Sequence, residues 1–117
     1  MNVLSGARLA RAYFPEMIKR DWGRVIFISS DSSLVILPDM IHYGMTKTAQ
    51  LSIPRGLAGL TKGTNVTVNS VLAGSTRSEG IEDSFKSESS NAAGSAGEIE
   101  EEFFEKERPT SLIQRLI

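Results

Sequence analysis

A chain of 117 residues, 40% hydrophobic and 23% charged, has the composition of one small folded domain rather than of a disordered or membrane protein. Its formal net charge of -1 offers no global attraction to nucleic acid or an anionic membrane, so any function must lie in a local site. The absence of cysteine excludes disulfides, thiolate catalysis and cysteine-ligated zinc.

The first segment, MNVLSGARLARAYF, carries arginines within its apolar pattern where a secretory signal needs an unbroken apolar stretch, and no run approaches transmembrane length. The expectation is a soluble, cytoplasmic protein without membrane or nucleic-acid partners. From Val3 to Lys19 the residues Leu4, Ala7, Ala10, Phe14, Met17 and Ile18 recur at three- and four-residue spacings, the pattern of an amphipathic helix, with Pro15 as a local weakness. Arg24 to Ser29 is a short, almost continuous apolar and β-branched run that suits a buried parallel strand.

A second helical pattern runs from about Ile41 to Leu60, with Met45, Ala49, Ile53, Leu57 and Leu60 assigned to one face and Lys62-Gly63 at its end. Asn65 to Val71 reads as a second strand, so the order is helix, strand, helix, strand, and a helix of this length between two strands implies a parallel pair with a right-handed crossover. Residues 82–107, with the acidic run Glu98–Glu102, read as a solvated surface helix or loop. The final apolar residue, Ile117, carries no cap, and two strands alone would both be sheet edges, so the chain reads as part of something larger.

Tyr43 and Lys47 stand four apart at the start of the second helix, which puts both on one face beside the end of the preceding strand. Open parallel sheets place their sites at that carboxyl end. A lysine ammonium close to a phenol favours the phenolate, so the tyrosine can exchange a proton with an alcohol or carbonyl oxygen. Ser30 closes the strand thirteen positions before Tyr43, where its hydroxyl could bond the same substrate oxygen. His42, the only histidine, points away from this face and reads as a structural or surface residue.

Taken in order and spacing, Gly23-Arg-Val-Ile-Phe-Ile-Ser-Ser30, Tyr43-Gly-Met-Thr-Lys47 and Val68-Asn-Ser-Val-Leu-Ala-Gly74 resemble the serine strand, active-site helix and following strand and turn of the short-chain dehydrogenase/reductase family. The resemblance covers residues 2 to about 80, with a weaker continuation to the end. It implies an α/β fold with a Rossmann-like parallel sheet and flanking helices, here incomplete because the N-terminal dinucleotide-binding half is missing. Residues 1–80 would be the active-site segment and 81–117 a substrate-lid and C-terminal segment. It further implies an NAD- or NADP-dependent oxidoreductase that interconverts an alcohol and a carbonyl.

In that scheme Tyr43 is the general acid/base, Ser30 polarises the substrate oxygen, and Lys47 binds the nicotinamide ribose while tuning Tyr43. Asn2 matches the asparagine of a water-mediated proton relay to the lysine. Gly74, Thr76 and Ser78 match positions that contact the nicotinamide or nearby phosphate, and no metal is implied.

Three departures stand out. The chain has no glycine-rich turn to hold a pyrophosphate. Ala73 replaces the usual proline before Gly74, which returns a free backbone angle to that turn. Pro54 falls inside the helix of Tyr43 and Lys47, where an interior proline is expected to kink the axis at a cost of about 3 kcal/mol. Two further readings therefore stand beside the enzyme: a truncated, non-catalytic remnant, and an interaction module. The second rests on residues 3–20 and 41–61, which match helices that form subunit interfaces in the family, and it accords with a homo-oligomeric full-length relative.

Overall fold

In the computed structural model, which describes residues 2–91 and 95–117 (without the side chains of 88–91), the chain forms two compact units, Met1–Ala73 and Gly74–Ile117. The first contains α1 (Leu4–Lys19), β1 (Gly23–Ser30), α2 (Ile41–Gly59) and β2 (Val66–Ala73), with short 3-10 turns at Asp31–Ser33 and Pro38–Met40. The strands pair in parallel, from Gly23 opposite Val66 to Ser30 opposite Ala73. The helix–strand–helix–strand order and the parallel pair are as the sequence pattern predicts.

One face of the sheet makes the core. Ala10 and Phe14 of α1 pack with Phe27 of β1 and Val66 and Val68 of β2, and Ile53 and Leu57 of α2 close over them. Gly6 lets the aromatic ring in, since a Cβ there would stand 2.6 Å from Phe27 Cε1. Burial in β1 alternates, however, and Ile26 and Ile28 are exposed. The apolar run is therefore a strand covered on one face rather than a fully buried one.

The inward stripe of α2 also departs from the hydrophobic pattern. Gly44, Gln50 and Pro54 are its buried residues, whereas Met45 and Leu60 are 63% and 68% exposed. The apolar periodicity holds for Ile53 and Leu57, which pack on the core, and fails for Met45 and Leu60, because the first half of α2 faces the sheet with small and polar groups.

Pro54 does not interrupt α2, which is continuous from Ile41 to Gly59. A proline at this position withholds the N–H that the carbonyl four residues earlier would accept. That carbonyl belongs to Gln50, and it accepts instead from Ser70 Oγ of β2 at 3.0 Å. The expected damage is thus compensated by a long-range hydrogen bond. Pro15 is likewise contained within α1, on an exposed face where water can serve the freed carbonyl.

At the start of the sheet Asp21 takes a left-handed conformation (φ 52°). Its carboxylate accepts from the backbone N–H of Asn65 at 2.8 Å and from Asn65 Nδ2 at 2.7 Å, tying the entrances of the two strands together. Trp22 is exposed, and the guanidinium groups of Arg20 and Arg24 lie 6.0 and 5.4 Å from its ring centre.

The second unit holds α3 (Glu79–Asn91) and α4 (Ala96–Glu107). Ser95 and Glu98 form a reciprocal capping box at the start of α4. The acidic stretch is more than a solvated face: Phe85, Ile99, Phe104 and Leu116 are buried together, with Phe103 against both Phe85 and Phe104 at ring distances of 5.6 and 5.3 Å. Residues 92–94 of that stretch lie outside the described residues. Among the described residues no helix is long and apolar enough to cross a membrane.

Two stability tests follow. Ser70→Ala is expected to cost about 1–3 kcal/mol by orphaning the Gln50 carbonyl, and less in a Pro54→Ala background, where residue 54 regains its own N–H; a denaturant double-mutant cycle measures the difference. The backbone N–H of Asn65, then its side chain, holds the Asp21 carboxyl below its ordinary value of 3.8. A depressed carboxyl contributes stability that is complete above its unfolded value and lost as pH falls through the folded one. The Tm advantage of wild type over Asp21→Asn is therefore expected to hold above pH 3.8 and to shrink below it.

Candidate active site

The carboxyl end of β1 and the first two turns of α2 bring Tyr43, Lys47 and Asn2 together. Tyr43 and Lys47 are both half-buried, and the ammonium lies 5.6 Å from the centre of the phenol ring. Lys47 Nζ donates to the Ile28 carbonyl at 3.0 Å and to Gln50 Oε1 at 3.5 Å. An ammonium has three donors, so one remains for a ligand. Among the described residues the Tyr43 hydroxyl has no hydrogen-bond partner, which leaves it to meet a substrate oxygen.

Helix α2 is held to the sheet by serine hydroxyls. Ser29, 2% exposed, donates from Oγ to the Lys47 carbonyl at 2.8 Å, and Ser70 does the same for Gln50 one turn later. Thr48 Oγ1 shares its one proton between the Gly44 carbonyl of α2 at 2.8 Å and the Ser33 carbonyl of the loop after β1 at 3.1 Å. That loop approaches because residue 44 is glycine: a Cβ there would stand 2.8 Å from Ile36 Cγ2 and 3.1 Å from the Ser32 carbonyl.

Ser30 is buried at the end of β1, but its hydroxyl is engaged locally. Oγ accepts from the Ser32 N–H at 3.1 Å, capping the 3-10 turn, and donates to Asp31 Oδ1 at 3.0 Å. Asn2 stands against α2: its side-chain amide donates to Thr46 Oγ1 at 3.4 Å, and its backbone carbonyl accepts from Gln50 Nε2 at 2.5 Å. His42 is exposed.

Gly74, Thr76 and Ser78 belong to the second unit. Thr76 Oγ1 donates to the Gly74 carbonyl at 3.0 Å, and Ser78 Oγ accepts from the Ile81 N–H at 3.4 Å near the start of α3. Gly74 does not use the positive backbone angles open to glycine; Gly63 alone does so among the described glycines.

Gln50 and Ser29 escaped the sequence reading. The signal for Gln50 was a polar residue three positions after Lys47, a spacing that shares the lysine's helix face. Ser29 carried no signal beyond its place before Ser30, because its partner is set by helix–sheet packing.

Comparison with known proteins identifies the family. A family model described as short chain dehydrogenase matches residues 1–89. The chain is 49% identical to the uncharacterized oxidoreductase YvaG of Bacillus subtilis (strain 168) over 117 residues, all of this chain and 44% of YvaG. Its fold superposes on ElxO, solved with NADP bound, with a TM-score of 0.77 at 23% identity, covering 98% of this chain and 42% of that one. It also matches 4-hydroxyisoleucine dehydrogenase complexed with NADH, with a TM-score of 0.62 at 25% identity over 74% of this chain and 38% of that one. The chain belongs to the short-chain dehydrogenase/reductase family, and its fold is the Rossmann-like α/β arrangement of that family. It spans less than half the length of YvaG.

The close approach at residue 44 has a measurable consequence. Gly44→Ala is expected to lose about 1–3 kcal/mol in urea unfolding as Ile36 and the Ser32 carbonyl are pushed back. Gly56→Ala, in the same helix with nothing within 4 Å of the added carbon, is expected to gain about 0.5–1 kcal/mol.

Proposed function

We propose that this chain carries the catalytic centre of an NAD(P)-dependent oxidoreductase that interconverts an alcohol and a carbonyl, with Tyr43 as general acid/base. The observation that carries the reading is the Lys47 ammonium, tied to the end of β1 and held 5.6 Å over the Tyr43 ring. With that cation beside it, Tyr43 would return the proton to a carbonyl oxygen during reduction or take it from an alcohol during oxidation.

The residues present fit the nicotinamide-ribose end of a dinucleotide. The third donor of Lys47 is available for a ribose hydroxyl, and the site lies at the strand end where open parallel sheets take such ligands. The bound cofactor supplies or accepts the hydride. A pyrophosphate grip of the glycine-rich kind is not encoded in these 117 residues. Gly74, Thr76 and Ser78 are proposed to contact the nicotinamide or an adjacent phosphate, and residues 81–117 to cover the substrate.

Ser30 is proposed to polarise the substrate oxygen, for which its hydroxyl must turn its proton from Asp31 towards the ligand. Asn2 joins the proton path through its contacts with α2. The choice between NAD and NADP is left open by the residues present. A small alcohol or ketone is the proposed substrate, and a homo-oligomer the proposed assembly of the whole protein.

Titration with NADH and NADPH, followed by nicotinamide fluorescence, tests the reading. Saturable binding is expected for the intact chain and is expected to weaken at least tenfold in Lys47→Ala, the loss of one charge-assisted contact of about 1.5–3 kcal/mol. Tyr43→Phe is expected to bind the cofactor, remain folded by circular dichroism and lose oxidoreductase activity. No binding by a folded sample would support the non-catalytic alternative for this chain, and full activity in Tyr43→Phe would sink the role given to the tyrosine.

A further inference from the structure

We infer that Gln50 is a positioning residue for the site: its amide clamps the Lys47 ammonium on one side and the Asn2 backbone on the other. The inference rests on the functional reading above for its purpose, but its geometry stands independently. Gln50 is 9% exposed, so its polar atoms must find partners within the protein. Oε1 accepts from Lys47 Nζ at 3.5 Å, and Nε2 donates to the Asn2 carbonyl at 2.5 Å. Only one orientation of the amide serves both neighbours, because an ammonium can only donate and a carbonyl can only accept.

The residue is fixed from its own backbone as well. Pro54 leaves the Gln50 carbonyl without its helical partner, and Ser70 Oγ fills that place at 3.0 Å. Gln50 therefore links three elements that must agree for the site to form: β2 through its carbonyl, the residue leading into α1 through its amide nitrogen, and Lys47 through its amide oxygen. A leucine or methionine of similar size could fill the volume but would leave the Asn2 carbonyl unpaired and Lys47 held only by Ile28.

The test uses a readout other than turnover. Brief acylation of the full chain with an amine-specific reagent, with each lysine quantified by peptide mass spectrometry, reports how tightly Lys47 is held; Lys19, Lys62, Lys86 and Lys106 serve as internal controls. Gln50→Met keeps the bulk and removes both hydrogen bonds. It is expected to raise the Lys47 labelling rate about twofold, the factor for one long hydrogen bond at the weak end of the usual range of about 0.5–1.5 kcal/mol, with the control lysines unchanged. Gln50→Glu restores an acceptor for Lys47 and is expected to return the rate to wild type or below.

A Gln50→Met protein that melts like wild type and labels Lys47 at the wild-type rate would overturn the inference, as would a Gln50→Glu protein that labels as fast as Gln50→Met. Should Gln50→Met melt at a lower temperature, the ratio of Lys47 to control labelling in native buffer decides: a rise confined to Lys47 upholds the clamp, and a rise shared by all five lysines refutes it. Cofactor titration of the wild type reports separately on the functional reading, so failure of one is distinguishable from failure of the other.

Discussion

Two serine hydroxyls, one from each strand, grip successive turns of a single helix. Ser29 of β1 bonds the carbonyl of Lys47 and Ser70 of β2 bonds that of Gln50. These contacts set both the rotation and the depth of α2 on the sheet, because a hydroxyl that must reach a particular main-chain oxygen tolerates little sliding. With α2 so seated, Lys47 meets the Ile28 carbonyl near the end of β1, Tyr43 stands beside it, and Gln50 turns inward to the segment that leads into α1. The parallel register from Gly23–Val66 to Ser30–Ala73 places the two serines to act together.

The hydrophobic contribution is modest and one-sided. Phe14, Phe27, Val66 and Val68 form the buried cluster under α1 and α2, while Ile26 and Ile28 face outwards. Polar contacts at the helix–sheet seam matter beside this cluster, since each orphaned carbonyl there carries a desolvation cost of its own. Pro54 illustrates the point. A residue that breaks helices elsewhere is accommodated because the strand across the seam offers a replacement donor.

The sequence made the element order, the parallel pair and the Tyr43–Lys47 pairing legible, because periodicity and four-residue spacing are local properties. Burial was less legible. The alternation in β1 depends on which face another element covers, and the inward stripe of α2 keeps Ile53 and Leu57 but is otherwise carried by Gly44, Gln50 and Pro54 rather than by Met45 and Leu60. The compensation of Pro54 joins residues twenty apart, and the contact of Gln50 with Asn2 spans forty-eight, so neither could be read before the strands were placed. The same holds for Phe85, Ile99 and Phe104, whose partners emerge only when α3 and α4 pack.

Trp22 is the sole tryptophan of the chain and sits at the entrance of β1, whereas Tyr43 and Lys47 gather at its exit. Eight strand residues of about 3.3 Å rise separate the two ends by roughly 23 Å. The protein thus carries an optical donor at one end of the strand, opposite the seat proposed for a reduced nicotinamide, itself a natural acceptor of indole emission. Energy transfer between them is an unlabelled ruler laid along the strand, able to tell a ligand lodged at the exit from one adhering elsewhere on the surface.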